Sequence, residues 1–302
     1  MDNFSGQNLE SMGLSVAKDP AVCLVYNIFG QRGQRVSRSD FYRTILKEQR
    51  EITAEALNQK DKNTPKICAE GDSWIIILWP WSQILGYHRT FFDVIQEKLY
   101  YNNELGYPGD TFQQMLTEKD YENPMKSGIF DFFIFSGGGN DVLGGGALYD
   151  LLKWRESGHQ SENPKYYVDD RILHDRLETL KSGYLTIAKE AWVWSSQKTR
   201  MLVHGYDYPI PRRNEPWLGR PFESRGYDLI ADADLIGTIL ELLVDRFYAM
   251  LEDVAAESAN VIVVDLRRVC AGRWHDELHP TTAASRDFAQ RFIDVIGPPR
   301  VG

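Results

Sequence analysis

From Pro65 onward, apolar runs of strand length alternate with segments of helical period. Ile67–Ala69 reads as a buried first strand and Tyr100–Leu105 as a weaker second. Phe130–Phe135 is an aromatic third, Arg200–Val203 a fourth and Val261–Leu266 a fifth. Helices are expected through Phe91–Leu99, from Phe112, over Asp170–Trp194, over Leu229–Ala256 and over Thr281–Val295, where apolar residues recur near helical spacing. Strands that alternate with helices argue for one parallel sheet with helices on both faces and right-handed crossovers. A polar loop, Asp207–Tyr227, shows no obvious structure, and long loops in compact domains are commonly functional.

Residues 1–64 stand apart as an N-terminal appendage, and residues 65–302 form the main domain. Met1–Pro20 is polar and without period, as a loosely ordered arm is. Ala21–Phe29 fits either a strand or a buried helix. Asp40 reads as the N-cap of a helix through Phe41, Ile45, Leu46, Ile52 and Leu57.

Composition narrows the function. The 302 residues are 43% hydrophobic and 25% charged with a net charge of -9, which is ordinary globular composition. No long Lys/Arg run supplies a footprint for nucleic acid or for an anionic membrane surface. Cys23, Cys68 and Cys270 are odd in number and widely spaced, which argues against a disulfide framework or a zinc site. His275 and His279 have the spacing of helical metal ligands, but Pro280 biases His279 away from helix and no third ligand is evident. The reading assigns no metal and no cofactor. Met1-Asp2-Asn3 opens no signal-peptide pattern and no stretch is long enough to span a bilayer, so the expected location is the cytoplasm. Protein partners are not legible.

The chemistry collects where the strands end. Ser73 follows the first strand, Gly109 the second and Asn140 the third; Asp276 and His279 follow the fifth. In open α/β sheets that carboxyl edge is where ligands bind. Taken alone, Gly71-Asp72-Ser73 fits a helix-capping turn better than a nucleophile. A serine, a histidine to take its proton, an aspartate to orient the histidine and several amide donors at one edge point to acyl transfer. No Gly-x-Ser-x-Gly elbow surrounds Ser73, and the glycines at 137–139 and 144–146 fit neither a dinucleotide nor a Walker phosphate loop.

In this light the chain resembles the SGNH hydrolases, also called GDSL esterases/lipases, from about Lys66 to the C-terminus. Gly71-Asp72-Ser73 is similar to the nucleophile block, with Trp74 where leucine is common. Gly109, in Gly109-Asp110-Thr111, matches the second block, Gly138-Gly139-Asn140-Asp141 the third, and Asp276-Glu277-Leu278-His279 the last. The resemblance implies a three-layer α/β/α sandwich around a five-stranded parallel sheet in flavodoxin-like order 2-1-3-4-5. It also implies a serine ester hydrolase working through an acyl-enzyme on a small-molecule ester. Ser73, His279 and Asp276 would be its triad; the N–H groups of Ser73 and Gly109 and the Asn140 amide would be its oxyanion hole. Alternatives are a carbohydrate O-acetyl esterase, a lysophospholipase or a non-catalytic binding protein on the same fold. Asp72, Trp74, His204, Tyr206, Asp207 and Tyr208 are candidate substrate-lining residues; the last four fit a hydrogen-bonded turn equally well. Trp79, Trp81 and Trp217 fit the core better than the cleft.

Overall fold

The structure, a computed structural model, describes residues 15–18, 26–29, 64–76, 89–96, 101–106, 110–144, 146–155 and 163–297. Near the N-terminus β1 (Ser15–Lys18) and β2 (Tyr26–Phe29) pair antiparallel, with Ser15 opposite Phe29. The first of them lies within the stretch expected as an arm, and its backbone groups are paired in a ladder; the rest of that stretch lies outside the described residues. The second settles Ala21–Phe29 as strand at its C-terminal end. The helix expected after Asp40 lies outside the described residues.

The main sheet contains β3 (Lys66–Gly71), β4 (Tyr101–Glu104), β5 (Phe132–Ser136), β6 (Arg200–Val203) and β7 (Val261–Val263). All neighbours are parallel and the order is β4-β3-β5-β6-β7. This is the expected order 2-1-3-4-5. In register, Ile67 faces Phe132 and Gly71 faces Ser136, so β3 and β5 end together. The fifth strand is shorter than the run of apolar residues. Val264 still donates to the Val203 carbonyl, but the Leu266 N–H turns to the Tyr248 hydroxyl at 2.8 Å and leaves the ladder.

The helices are α1 (Phe91–Gln96), α2 (Phe112–Glu118), α3 (Glu122–Lys126), α4 (Gly139–Val142), α5 (Ala147–Leu151), α6 (Asp170–Trp194), α7 (Gly219–Ser224), α8 (Ala233–Glu257) and α9 (Thr282–Ile296). The long helix α6 starts where Asp169 caps it by accepting from the Ile172 N–H at 3.0 Å. Its buried stripe of Leu173, Leu177, Leu180, Tyr184, Ile187, Ala188 and Ala191 faces the core. On that face of the sheet Phe135 meets Phe112 of α2 and Tyr184 of α6, and Phe133 meets Tyr121. On the other face α1 packs on α9, with Phe91 and Phe292 stacked 4.6 Å apart. Such a pair contributes about 0.5–1.5 kcal/mol beyond its buried area. The result is the expected α/β/α sandwich. The loop expected to lack structure contains α7. Among the described residues no helix is long and apolar enough to cross a membrane.

Candidate active site

The turn that contains Ser73 is built by close approach. A Cβ on Gly71 would lie 2.5 Å from the Ser136 carbonyl oxygen, so only glycine lets the end of β3 sit against the end of β5. The Asp72 N–H then donates to that same carbonyl at 3.0 Å, and the Ile75 and Ile76 N–H groups donate back to the Asp72 carbonyl. Ser73 stands at the top of this turn, 8% exposed. Among the described residues nothing accepts its backbone N–H. The Asp72 side chain is buried, with Oδ1 accepting from the Trp74 N–H and the Ser136 hydroxyl, each at 3.0 Å, and Oδ2 from the Tyr206 hydroxyl at 2.6 Å. Burial raises its pKa and those hydrogen bonds oppose the rise.

The second turn comes from the far end of the chain. Trp274 and Pro280 form an isolated bridge, and the His275 N–H donates to the His279 carbonyl at 2.8 Å. Within this turn Asp276 Oδ1 accepts the N–H groups of Leu278 and His279, both at 2.8 Å. The His279 Nδ1 lies 2.9 Å from each Asp276 oxygen, and its Nε2 lies 2.8 Å from the Ser73 Oγ. An aspartate at Nδ1 keeps the proton there, which leaves Nε2 to accept from the serine hydroxyl. Burial works against the Asp276 charge, but the His279 charge and the hydrogen bonds from His279 and Leu278 outweigh it and hold the carboxyl at about 2. The indole N–H of Trp74 donates to the Leu278 carbonyl at 3.2 Å, tying the two turns together.

A third segment is clasped to the second. Glu277, fully buried between Asp276 and His279, accepts four backbone N–H groups: Arg212 and Gly219 on Oε1, Trp217 and Leu218 on Oε2, at 2.7–3.0 Å. Burial raises its pKa and the four donors oppose the rise. In return the Arg212 guanidinium donates to the carbonyls of His275 and Trp274. The clasp sets the edge of Trp217 against the His279 ring, centroids 5.8 Å apart. Neither Glu277 nor Arg212 stood out in the sequence. Backbone donors leave no residue-type signature, and a carboxylate in Asp-Glu-Leu-His looks like a surface residue. Trp217 is buried, as expected of a core residue.

Asn140 is the second residue of α4, half-buried, with one amide N–H given to the Asp110 carbonyl at 2.9 Å. Asp141 accepts from the Phe112 N–H at the start of α2. Gly109, Trp79 and Trp81 lie outside the described residues. The candidate substrate-lining residues make their contacts with the protein. Trp74 packs on His204, Tyr206, Trp274 and Phe288. His204 is fully buried; its Nδ1 accepts from the Tyr206 N–H, and burial pushes its pKa down to about 3. Asp207 accepts the N–H groups of Tyr208, Arg268 and Cys270, and the Tyr208 hydroxyl donates to Asp245. Tyr206 has φ of 69°, a conformation that costs about 1–3 kcal/mol for a non-glycine residue.

The fold is a parallel α/β/α sandwich, and the Ser73–His279–Asp276 chain of contacts lies at the carboxyl edge of its sheet, the edge at which open α/β sheets bind ligands. No protein-family model matches the chain, and no curated protein matches it. Among solved structures it is similar to an extracellular lipase from Streptomyces rimosus, at 15% identity and a TM-score of 0.50, covering 76% of this chain and 99% of that one. That likeness concerns the fold. The chain is also similar to an acetylxylan esterase from Geobacillus stearothermophilus (14% identity, 77% and 94% covered, TM-score 0.45). A member of the lipolytic G-D-S-L family from Veillonella parvula is a further similar structure (18% identity, 76% and 97% covered, TM-score 0.41).

Proposed function

We propose that residues 65–302 are a serine ester hydrolase of SGNH type acting on a small-molecule carboxylic ester. One observation carries the reading: Ser73 Oγ, His279 and Asp276 form an unbroken chain of contacts of 2.8 and 2.9 Å between turns 206 residues apart. Nε2 of His279 takes the hydroxyl proton as Oγ attacks the acyl carbonyl, and Asp276 stabilises the imidazolium that forms. The oxyanion of the tetrahedral intermediate is held by the free N–H of Ser73, the remaining N–H of the Asn140 amide and the N–H of Gly109. One such donor lowers the barrier by about 3 kcal/mol. The imidazolium returns its proton to the leaving alcohol, the acyl group stays on Oγ, and water activated by the same imidazole releases the acid.

The test is a panel of p-nitrophenyl esters of increasing acyl length, with acetylated xylo-oligosaccharides and a lysophospholipid alongside, on wild type and Ser73→Ala. Wild type is expected to turn over at least one of them, and Ser73→Ala to lose that turnover while keeping its far-UV circular dichroism. An organophosphonate is expected to label Ser73 alone. Labelling of another serine, or full activity in Ser73→Ala, overturns the reading in favour of a binding protein on this fold.

A further inference from the structure

We propose that Tyr206 is a positioning residue whose hydroxyl locks the nucleophile turn to the Asn140 turn and thereby aims the Asn140 amide at the oxyanion. The proposal rests on the acyl-transfer reading above. Its basis is one oxygen atom with two partners: the Tyr206 hydroxyl donates to Asp72 Oδ2 at 2.6 Å and accepts from the Gly139 N–H at 2.9 Å. Asp72 is bonded to Ser73, and Gly139 to Asn140. The bridge therefore joins the peptides next to the nucleophile and next to the amide donor, at the ends of β3 and β5. Its polarity is fixed. Gly139 can only donate, so the single phenolic hydrogen goes to the carboxylate.

The surroundings hold the phenol in place. A Cβ on Gly139 would lie 2.6 Å from Tyr206 Cζ, so the ring lies against a peptide that only glycine leaves open. The left-handed backbone at Tyr206 is held on both sides, its N–H by His204 Nδ1 at 3.2 Å and its carbonyl by the Tyr248 hydroxyl at 2.8 Å. Trp74, His204 and Phe247 wall the ring at centroid distances of 5.0–5.8 Å. Strained backbone held by its surroundings is a mark of functional sites. Among the described residues the Asn140 side chain has one hydrogen bond, to the Asp110 carbonyl. Its depth along the sheet edge is set by the peptide that Tyr206 holds.

Tyr206→Phe removes one oxygen and keeps the ring. On the best p-nitrophenyl ester of the panel, kcat is expected to fall about tenfold with KM within about twofold, because the donor acts on charge that appears only in the transition state. The discriminating arm is the double-mutant cycle with Asn140→Ala. If Tyr206 acts through Asn140, the double variant is no slower than Asn140→Ala alone. A Tyr206→Phe penalty that multiplies onto Asn140→Ala, or an unchanged kcat in Tyr206→Phe beside an impaired Asn140→Ala, overturns the proposal. Asn140→Ala with wild-type kcat overturns the oxyanion reading and this inference with it, which separates the two failures. Should Tyr206→Phe not fold, Asp72→Ala removes the same bridge from the other end and is read in the same cycle.

Discussion

Two buried carboxylates flank the site, Asp72 beside Ser73 and Glu277 beside Asp276, and neither touches the Ser–His–Asp chain through its own oxygens. They are satisfied in different ways. Asp72 accepts from two hydroxyls and one backbone N–H, whereas Glu277 accepts from four backbone N–H groups. A hydroxyl can reverse its role and accept; an N–H cannot. The Ser73 turn is therefore held by an adaptable network, and the His279 turn by a rigid one that only an acceptor can complete. Both carboxyls are raised by burial, opposed by hydrogen bonds. What distinguishes them is the consequence of placing an amide where the carboxylate stands.

The largest effect is expected at Glu277. In Glu277→Gln the amide NH2 must face two of the four N–H groups, and leaving two buried donors without an acceptor is worth about 3 kcal/mol of stability. Urea unfolding of the variant checks this, and retention of wild-type stability breaks the contrast. Next comes Asp276. Its folded value of about 2 lies below the ordinary aspartate value of 3.8, so its contribution of about 2 kcal/mol is present above that ordinary value and is lost as pH falls toward the folded one. Wild type is thus expected to lose about 2 kcal/mol more than Asp276→Asn between about pH 5 and 2, read from unfolding midpoints across that range. The smallest effect is expected at Asp72. An amide there keeps Oδ1 on Trp74 and Ser136 and misplaces only the Tyr206 hydrogen, a loss of about 1 kcal/mol. If Asp72→Asn destabilises as much as Glu277→Gln in the same titration, donor type is not what separates the two turns.

The same contrast explains what was legible in the chain. The places of the strands and the extent of α6 followed from local signals, apolar runs of strand length and a 3.6-residue stripe, whereas the strand order came only with the family resemblance. The meeting of Ser73 with His279 followed because a parallel sheet brings all its strand ends to one edge. The fate of 207–227 did not follow. Its short helix α7 sits where it does because of a carboxylate about 60 residues later, and no local pattern encodes that. Tyr206, which fitted a substrate-lining place and a hydrogen-bonded turn equally well, is buried with its hydroxyl engaged by Asp72 and Gly139. Residue type announces a polar group, and only the packing says which way it points.

The stacking of Phe91 on Phe292 also bears on what keeps His279 in place. His279 lies three residues before Thr282, where α9 starts, and α9 docks on α1. The ladder of the main sheet uses no residue of α9, so the strands can keep their pairing while the imidazole drifts from Ser73. On the proposed reading, Phe292→Ala is expected to slow organophosphonate labelling of Ser73 while the far-UV circular dichroism is kept.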